Sequence, residues 1–307
     1  MMERKIRIGT RESQLALWQA NEVKRLLENA GNVVELVLIK SEGDIDLVTP
    51  LYELGVQGVF TRALDAALLS DRIDIAVHSM KDVPVQPAKG IVQAAVLKRA
   101  SYKDIFVPKQ DSTFLDDTAS MATIATSSIR RMAQWLDRYP NHTITTLRGN
   151  VNTRLRKVTE ENWNGAIFAA AGLERINLRP ANAVELDWML PAPAQGAIMV
   201  VCKGNDDFCL DACRVFNDAD TELCTYIERS FLRTLLGGCS TPISALASIE
   251  GDMLVFRGNM LTKDGKQKAE IYKEAFVTDA GDLGVTAANG ILANGGDAII
   301  DQIRNAG

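Results

Sequence analysis

Four stretches of this 307-residue chain hold residues whose types and spacing could do chemistry. Leu235-Leu236-Gly237-Gly238-Cys239-Ser240-Thr241-Pro242 places a thiol just after a helical run, FLRTLL. Two glycines stop that run and a proline keeps it from resuming. Paired glycines permit positive φ and close approach to the backbone, so Cys239 is presented on a loop. Local pattern alone favours a plainer reading, a helix cap beside a small buried thiol, since free cysteine is among the most buried residue types. The second stretch, His78-Ser79-Met80-Lys81-Asp82-Val83-Pro84, follows the apolar run IDIAV (73–77). Polar groups just past the carboxyl end of a parallel strand lie where α/β sheets bind ligands. Lys81 and Asp82 each favour the other's charged form; a solvated turn fits them equally well on local context. The last two, TSSIRR (126–131) and LRGNVNTR (147–154), combine hydroxyls or amides with arginines at strand-to-helix junctions. Helix N-termini offer free N–H groups and partial positive charge, and an arginine fork binds two oxygens at once. Both point to an anionic ligand.

Charge sharpens that expectation. Residues 121–159 contain seven basic residues and one acidic residue, in a chain of net charge −5. A focused basic patch on an acidic protein predicts a polyanion held in a cleft. Arg130, Arg131, Arg148 and Arg154 are read as ligand contacts, Arg138 and Arg156 as an exposed helix face. The net charge argues against a general nucleic-acid binder. No run of 18 apolar residues is present, so no membrane span is expected. The opening MMERKIRIGT lacks an apolar core, so no signal peptide is expected. Cysteines 202, 209, 213, 224 and 239 form no CxxC pair, and with His78 and His142 they assemble no zinc spacing, so no metal is expected. Reduced thiols in a cytoplasmic protein fit this usage, and since nothing in the sequence demands a partner subunit a monomer is expected.

The positioning elements follow from periodicity. RKIRIG (4–9) alternates as a strand, and Thr10-Arg11-Glu12-Ser13 opens a helix with an apolar stripe at Ala16, Ala20, Val23 and Leu27. VVELVLI (33–39) completes a β-α-β unit, predicting a parallel sheet. Residues 40–60, with three glycines, a proline and four acidic residues, read as a loop or lid before the helix TRALDAALLSD. KRASYKD (98–104) reads as a crossover into a second α/β series: TIAT, a helix capped by Ser127-Ser128, TITTL, VNTRLRKVTEEN and AIFAAA. LPAPAQGAIMVVCKG (190–204) returns to an apolar strand able to cross back to the first sheet. After the helix ELCTYIERSFLRTLL, strands joined at Gly251-Asp252 and Asp264-Gly265 predict an antiparallel meander, closed by one helix over about 281–304.

Seven ordered segments, IGTRESQLALWQA, DIAVHSMKDVP, ATSSIRR, LRGNVNTRL, AAAGLERI, PAPAQGA and LLGGCSTP, together resemble the porphobilinogen deaminase (hydroxymethylbilane synthase) family over nearly the whole chain. The resemblance implies a fold of two α/β domains like type II periplasmic binding proteins plus a small C-terminal α+β domain with an antiparallel sheet. The expected division is 1–98 with 196–216, 99–195, and 217–307, with a lid at 42–60. It implies a transferase that joins four porphobilinogen units with loss of ammonia and releases hydroxymethylbilane, extending a dipyrromethane cofactor held by a thioether on Cys239. Asp82 matches the catalytic aspartate. Ser79, Lys81, Asp82, Thr126, Ser127, Ser128, Arg130, Arg131, Arg148 and Gly149 match cofactor-binding positions. Arg11, Ser13, Gln19, Arg148, Arg154 and Arg175 match positions that bind porphobilinogen or the growing polypyrrole chain. No nucleic acid or membrane partner is implied.

The chain departs from the family pattern at Gln57, where a lysine is common, and at Glu53, where some members have a lysine, leaving the lid less positive. Ser240-Thr241 and Val201 also differ; for Val201 there is no physical account. A solute-binding protein of the same two-domain plan would use the same basic cleft, and an inactive paralogue would keep the fold. In both, Cys239 would carry nothing.

Overall fold

The computed structural model describes residues 4–40, 61–235 and 241–305. Strand β1 (Ile6–Thr10) leads into helix α1 (Gln14–Asn29), where the Ser13 hydroxyl caps the first turn by accepting from the Ala16 N–H. Ala20, Val23 and Leu27 bury the predicted stripe against the sheet, while Ala16 faces a cleft instead. Strand β2 (Val34–Leu38) then pairs in parallel with β1.

Helix α2 (Arg62–Leu69) precedes β3 (Ile75–Ser79), a one-turn 3₁₀ helix Met80–Asp82, and β4 (Ile91–Val96). In the second series come β5 (Asp104–Pro108), β6 (Thr123–Ala125), α3 (Ile129–Arg138) and β7 (Thr143–Thr145). These are followed by α4 (Val151–Glu160), β8 (Gly165–Ala169), the short helix α5 (Ala170–Glu174) and β9 (Val184–Glu185). Strand β10 (Ile198–Lys203) returns to the first sheet, as the sequence anticipates.

The first sheet has the order β2-β1-β3-β10-β4 and the second β7-β6-β8-β5-β9. Numbered by role, these are one plan used twice. In each, three strands run parallel, and the strand that enters from the other lobe lies antiparallel to both its neighbours. The sheets are therefore mixed rather than parallel. A strand arriving from a separate lobe needs no crossover helix, so nothing forces it to run parallel. Two such lobes are the type II periplasmic-binding-protein plan.

Helix α6 (Asp207–Arg214) covers the first sheet, and α7 (Ala219–Thr234) begins the third unit. There β11 (Ile243–Glu250), β12 (Met253–Leu261) and β13 (Lys268–Phe276) form the expected meander. Its core joins Ile227 and Phe231 of α7 to Leu254 and Phe256 of β12 and to Ala287 and Ile291. The closing helix is not continuous. Helix α8 (Leu283–Ile291) and helix α9 (Asp297–Asn305) are separated at Asn294-Gly295, where Gly295 takes φ +94°. Asn-Gly-Gly in mid-helix lets the backbone leave the helical basin at little cost.

One ion pair ties the second and third units together. The Glu228 carboxylate of α7, with no exposed surface, accepts from both Arg99 guanidinium nitrogens at 2.6 and 3.1 Å. It also accepts from the Ala194 and Ala247 N–H groups at 2.6 and 2.8 Å. Breaking a buried pair by removing one partner strands a charge and costs about 3–5 kcal/mol. Glu228→Met should lower stability by about that amount in thermal or denaturant unfolding. A loss within error of zero would show that the pair is not a fastener.

Candidate functional site

Each parallel strand that carries a candidate residue delivers it at the strand's carboxyl end. Past β1 stand Arg11 and Ser13, and past β3 stand Lys81 and Asp82. Past β6 stand Thr126 to Arg131, past β7 Arg148 to Arg154, and past β8 Arg175. Arg11, Ser13, Gln19, His78, Ser79 and Asp82 line one cleft. Three helix N-termini open among these loops, capped by Ser13, Ser128 and Asn150. The lobes also meet directly: Asn152 donates to the Gln14 side chain at 2.9 Å, and the Arg175 guanidinium lies 5.7 Å from the Trp18 ring centroid.

Several predicted residues brace the site. Gln19, buried on α1, donates to the Ser79 hydroxyl at 2.9 Å. The Thr126 hydroxyl accepts from the Ser128 N–H at 3.2 Å. Ser127 donates to the Leu147 carbonyl at 2.8 Å and accepts from the Leu147 N–H at 3.0 Å, fixing the loop that carries Arg148 and Gly149. Arg154 donates to the Gly149 carbonyl at 2.7 Å, and Arg175 donates to the Gly196 carbonyl at 2.7 Å.

The centre is a residue that sequence reasoning did not single out. Asp104, at the start of β5 and fully buried, accepts four hydrogen bonds: from Arg130 at 2.7 Å, from Arg131 at 3.0 and 2.7 Å, and from Gln195 at 2.9 Å. Arg130 and Arg131 are thus buried against a protein carboxylate, with further bonds to the Leu190 and Ile167 carbonyls. Arg138 and Arg156 are exposed, Arg138 over Trp188 and Arg156 beside Glu160, as expected of a helix face. A second unforeseen residue is Arg229 of α7, which donates to the Met80, Val83 and Pro84 carbonyls at 3.3, 2.9 and 2.7 Å. It holds the turn bearing Lys81 and Asp82 from behind. Single buried charges in apolar runs leave no periodic signal; the only hint was an aspartate opening the otherwise apolar strand DIFVP.

The electrostatics of the arrangement is set by clustered positive charge. Burial pushes the Lys81 amine down to about 8; Arg131 and Arg130 add to this, against Asp82 and Asp104. Arg154 is pushed down to about 10, first by burial, then by Arg131, Arg148 and Arg11, with Asp82 opposing. A residue on the second lobe therefore feels Arg11 and Asp82 on the first. Arg175 falls to about 10 through burial. Burial and Arg11 hold His78 at about 4, so its imidazole is neutral. Cations that disfavour one another's charge across a cleft are relieved by a ligand with several carboxylates.

The Cys239 segment and the lid, with Glu53 and Gln57, lie outside the described residues. The other four cysteines are buried and free. Burial raises Cys202 and Cys224 to about 11 and Cys213 to about 12, so these thiols are unreactive. Among the described residues no His, Cys, Asp and Glu cluster could hold a metal ion, and no helix is long and apolar enough to cross a membrane.

Asp104 makes this network testable by acid. Burial would raise its pKa, but Arg130, Arg131 and Lys81 together outweigh that and hold it at about 2. Its folded value lies below its ordinary 3.8, so its contribution is complete above about pH 4 and is lost as pH falls through about 2. Asp104→Asn should be less stable at pH 7 by about 3–5 kcal/mol and should show a shallower decline between pH 4 and 2. Parallel acid-unfolding curves for the two proteins would contradict this.

Residues 6–211 match the family model described as porphobilinogen deaminase, dipyromethane cofactor binding domain, and residues 222–293 match its C-terminal domain. The porphobilinogen deaminase of Acidithiobacillus ferrooxidans is 39% identical over 311 residues, covering 99% of this chain and 100% of the relative. That of Trichlorobacter lovleyi is 39% identical over 307 residues, covering 99% and 98%. Among solved structures, a methionine-binding protein shows a slight likeness, with 12% identity and a TM-score of 0.42 over 68% of this chain and 90% of its own. The fold assignment rests on the sheet order, not on that likeness.

Proposed function

The chain belongs to the porphobilinogen deaminase family, and on that footing we propose how its residues join four porphobilinogen units, with loss of ammonia, into hydroxymethylbilane for tetrapyrrole synthesis. The observation that carries this reading is a cluster of cations around the cleft: Lys81 beside Asp82 and Arg11 lining the same cleft on the first lobe, and Arg154, which feels Asp82, Arg11, Arg131 and Arg148, on the second. Every porphobilinogen bears an acetate and a propionate, so cofactor, substrate and growing chain are all polyanions.

The residues present fit a dipyrromethane. Its carboxylates match a cradle of mutually repelling cations, in which the buried Arg130 Nε also lacks a hydrogen-bond partner among the described residues. Ser79, Lys81, Asp82, Thr126, Ser128, Arg130, Arg131, Arg148 and Gly149 would hold it, with Ser127 bracing the Arg148 loop. Cys239 would tether it, an assignment that rests on the family pattern. When bound, the cofactor supplies the pyrrole to which the first porphobilinogen is joined and from which product is cut.

Asp82 ends the 3₁₀ turn, where its carboxylate can accept a pyrrole N–H. It stabilises the positive charge that develops on the ring and its methylene as the C–N bond of the aminomethyl group breaks and ammonia leaves; a preorganised charge of this kind needs no reorganisation during reaction. Lys81 and the arginines neutralise carboxylates and hold the ring against Asp82. Arg11, Ser13, Gln19, Arg154 and Arg175 would take incoming porphobilinogen and the growing chain, with Arg148 serving both ends. The division into 1–98 with 196–216, 99–195 and 217–307 is supported by the strands of each sheet falling within one unit. Four buried, free cysteines support a reducing, cytoplasmic setting for a chain read as a monomer.

Ammonia release from porphobilinogen, four per bilane, tests the activity; a folded protein releasing none would sink it. Asp82→Asn should fold normally and lose roughly a hundredfold or more in kcat. Near-normal turnover would remove Asp82 from this role. Arg154→Leu removes a repelled cation, so it should leave the melting temperature unchanged or higher while raising KM for porphobilinogen by roughly tenfold or more. A parallel fall in stability and activity would make Arg154 structural.

A further inference from the structure

We propose that Gln195 is a positioning residue for this reaction: an amide spacer that keeps Lys81 from pairing with Asp104 and leaves the ammonium for a ligand carboxylate. The proposal rests on the reading of Lys81 as a cofactor ligand. Gln195 is 1% exposed and lies where the chain returns from the second lobe to the first. Its Oε1 accepts from Lys81 Nζ at 3.2 Å, while Nε2 donates to the Tyr102 carbonyl at 2.8 Å and to Asp104 Oδ1 at 2.9 Å. Both amide protons are therefore used. The amide's orientation is forced, because a carboxylate and a carbonyl can only accept, so the NH₂ must face them and the oxygen must face Lys81. Lys81 gives one N–H to Gln195 and keeps two for other acceptors.

The backbone holds the side chain to this task. Ala194 takes φ +62° and Gly196 φ +90°, and a Cβ at Gly196 would lie 2.7 Å from the Ser101 carbonyl oxygen. The surroundings over-determine this conformation. The Gln195 carbonyl accepts from Arg99 at 2.8 Å, the Ala194 N–H bonds Glu228 at 2.6 Å, and the Gly196 carbonyl accepts from Arg175 at 2.7 Å. Three successive residues thus reach Arg99, Glu228, Lys81, Asp104 and Arg175.

The charged groups facing Lys81 are Asp82 beside it, Asp104 on β5, and Arg130 and Arg131 on α3. Two carboxylates and two guanidiniums nearly balance, so the neutral Gln195 leaves Lys81 its own charge. Its loss as an acceptor would weaken the ammonium, and a carboxylate in its place would neutralise it.

The test compares wild type, Gln195→Met, Gln195→Asn and Gln195→Glu as full chains carrying their covalent adduct. Trace acetylation across a pH series, read on the Lys81 peptide by mass spectrometry, gives the titration midpoint; kcat/KM profiles give the alkaline limb of activity. The midpoint and the limb should move down by roughly one pH unit in the Met and Asn variants and up in the Glu variant. Simple loosening of the site would instead expose Lys81 and move its midpoint up in all three. Loaded variants with unmoved midpoints, or with upward shifts throughout, overturn the proposal. A wild type without adduct or ammonia release would instead overturn the proposed activity and the reading of Lys81 as a cofactor ligand.

Discussion

Asp104 is a carboxylate with no exposed surface, and the cleft depends on the four hydrogen bonds it accepts. A buried charge is stable only when paired and fully hydrogen-bonded. Here the partners are two arginines from the start of α3 and an amide from the returning segment, so one anion sets the geometry of the second lobe's basic face. Without it, Arg130, Arg131 and Lys81 would be three cations within mutual reach in a low-dielectric interior. With it, they remain fixed and charged, and a surplus of positive charge remains toward the cleft.

The duplicated sheet plan explains why so few residues suffice. Each lobe presents the carboxyl ends of three parallel strands, and each lobe's fourth strand comes from across the junction. The returning strand can therefore carry Gln195 to the interface, and Arg99 on the outgoing segment can reach Glu228 of the third unit. Helix α7 in turn supports the Asp82 turn through Arg229. The helix that leads toward Cys239 and the turn bearing Asp82 are thus joined by side-chain hydrogen bonds.

Local signals made much of this legible in the sequence. Strand alternation, the helix starts after residues 10–13 and after Ser127-Ser128 and the meander turns reflect neighbours within a few residues, and they appear where local pattern placed them. The basic patch was legible as composition, and its placement followed from strand-end logic. Long-range facts were not. The antiparallel strands and the roles of Asp104, Gln195, Glu228 and Arg229 depend on partners tens to over a hundred residues away, and no spacing rule encodes those. Arg130 and Arg131 illustrate the limit: their type said anion, and the first anion they meet belongs to the protein.

The central claim is that this cradle holds a covalent pyrrole cofactor on Cys239, and intact-mass measurement of the denatured full chain tests it most directly. The predicted spectrum shows one adduct of dipyrromethane mass on the wild-type chain and none on a folded Cys239→Ala variant. An unmodified wild-type chain, or an adduct that persists after the cysteine is removed, would contradict the account.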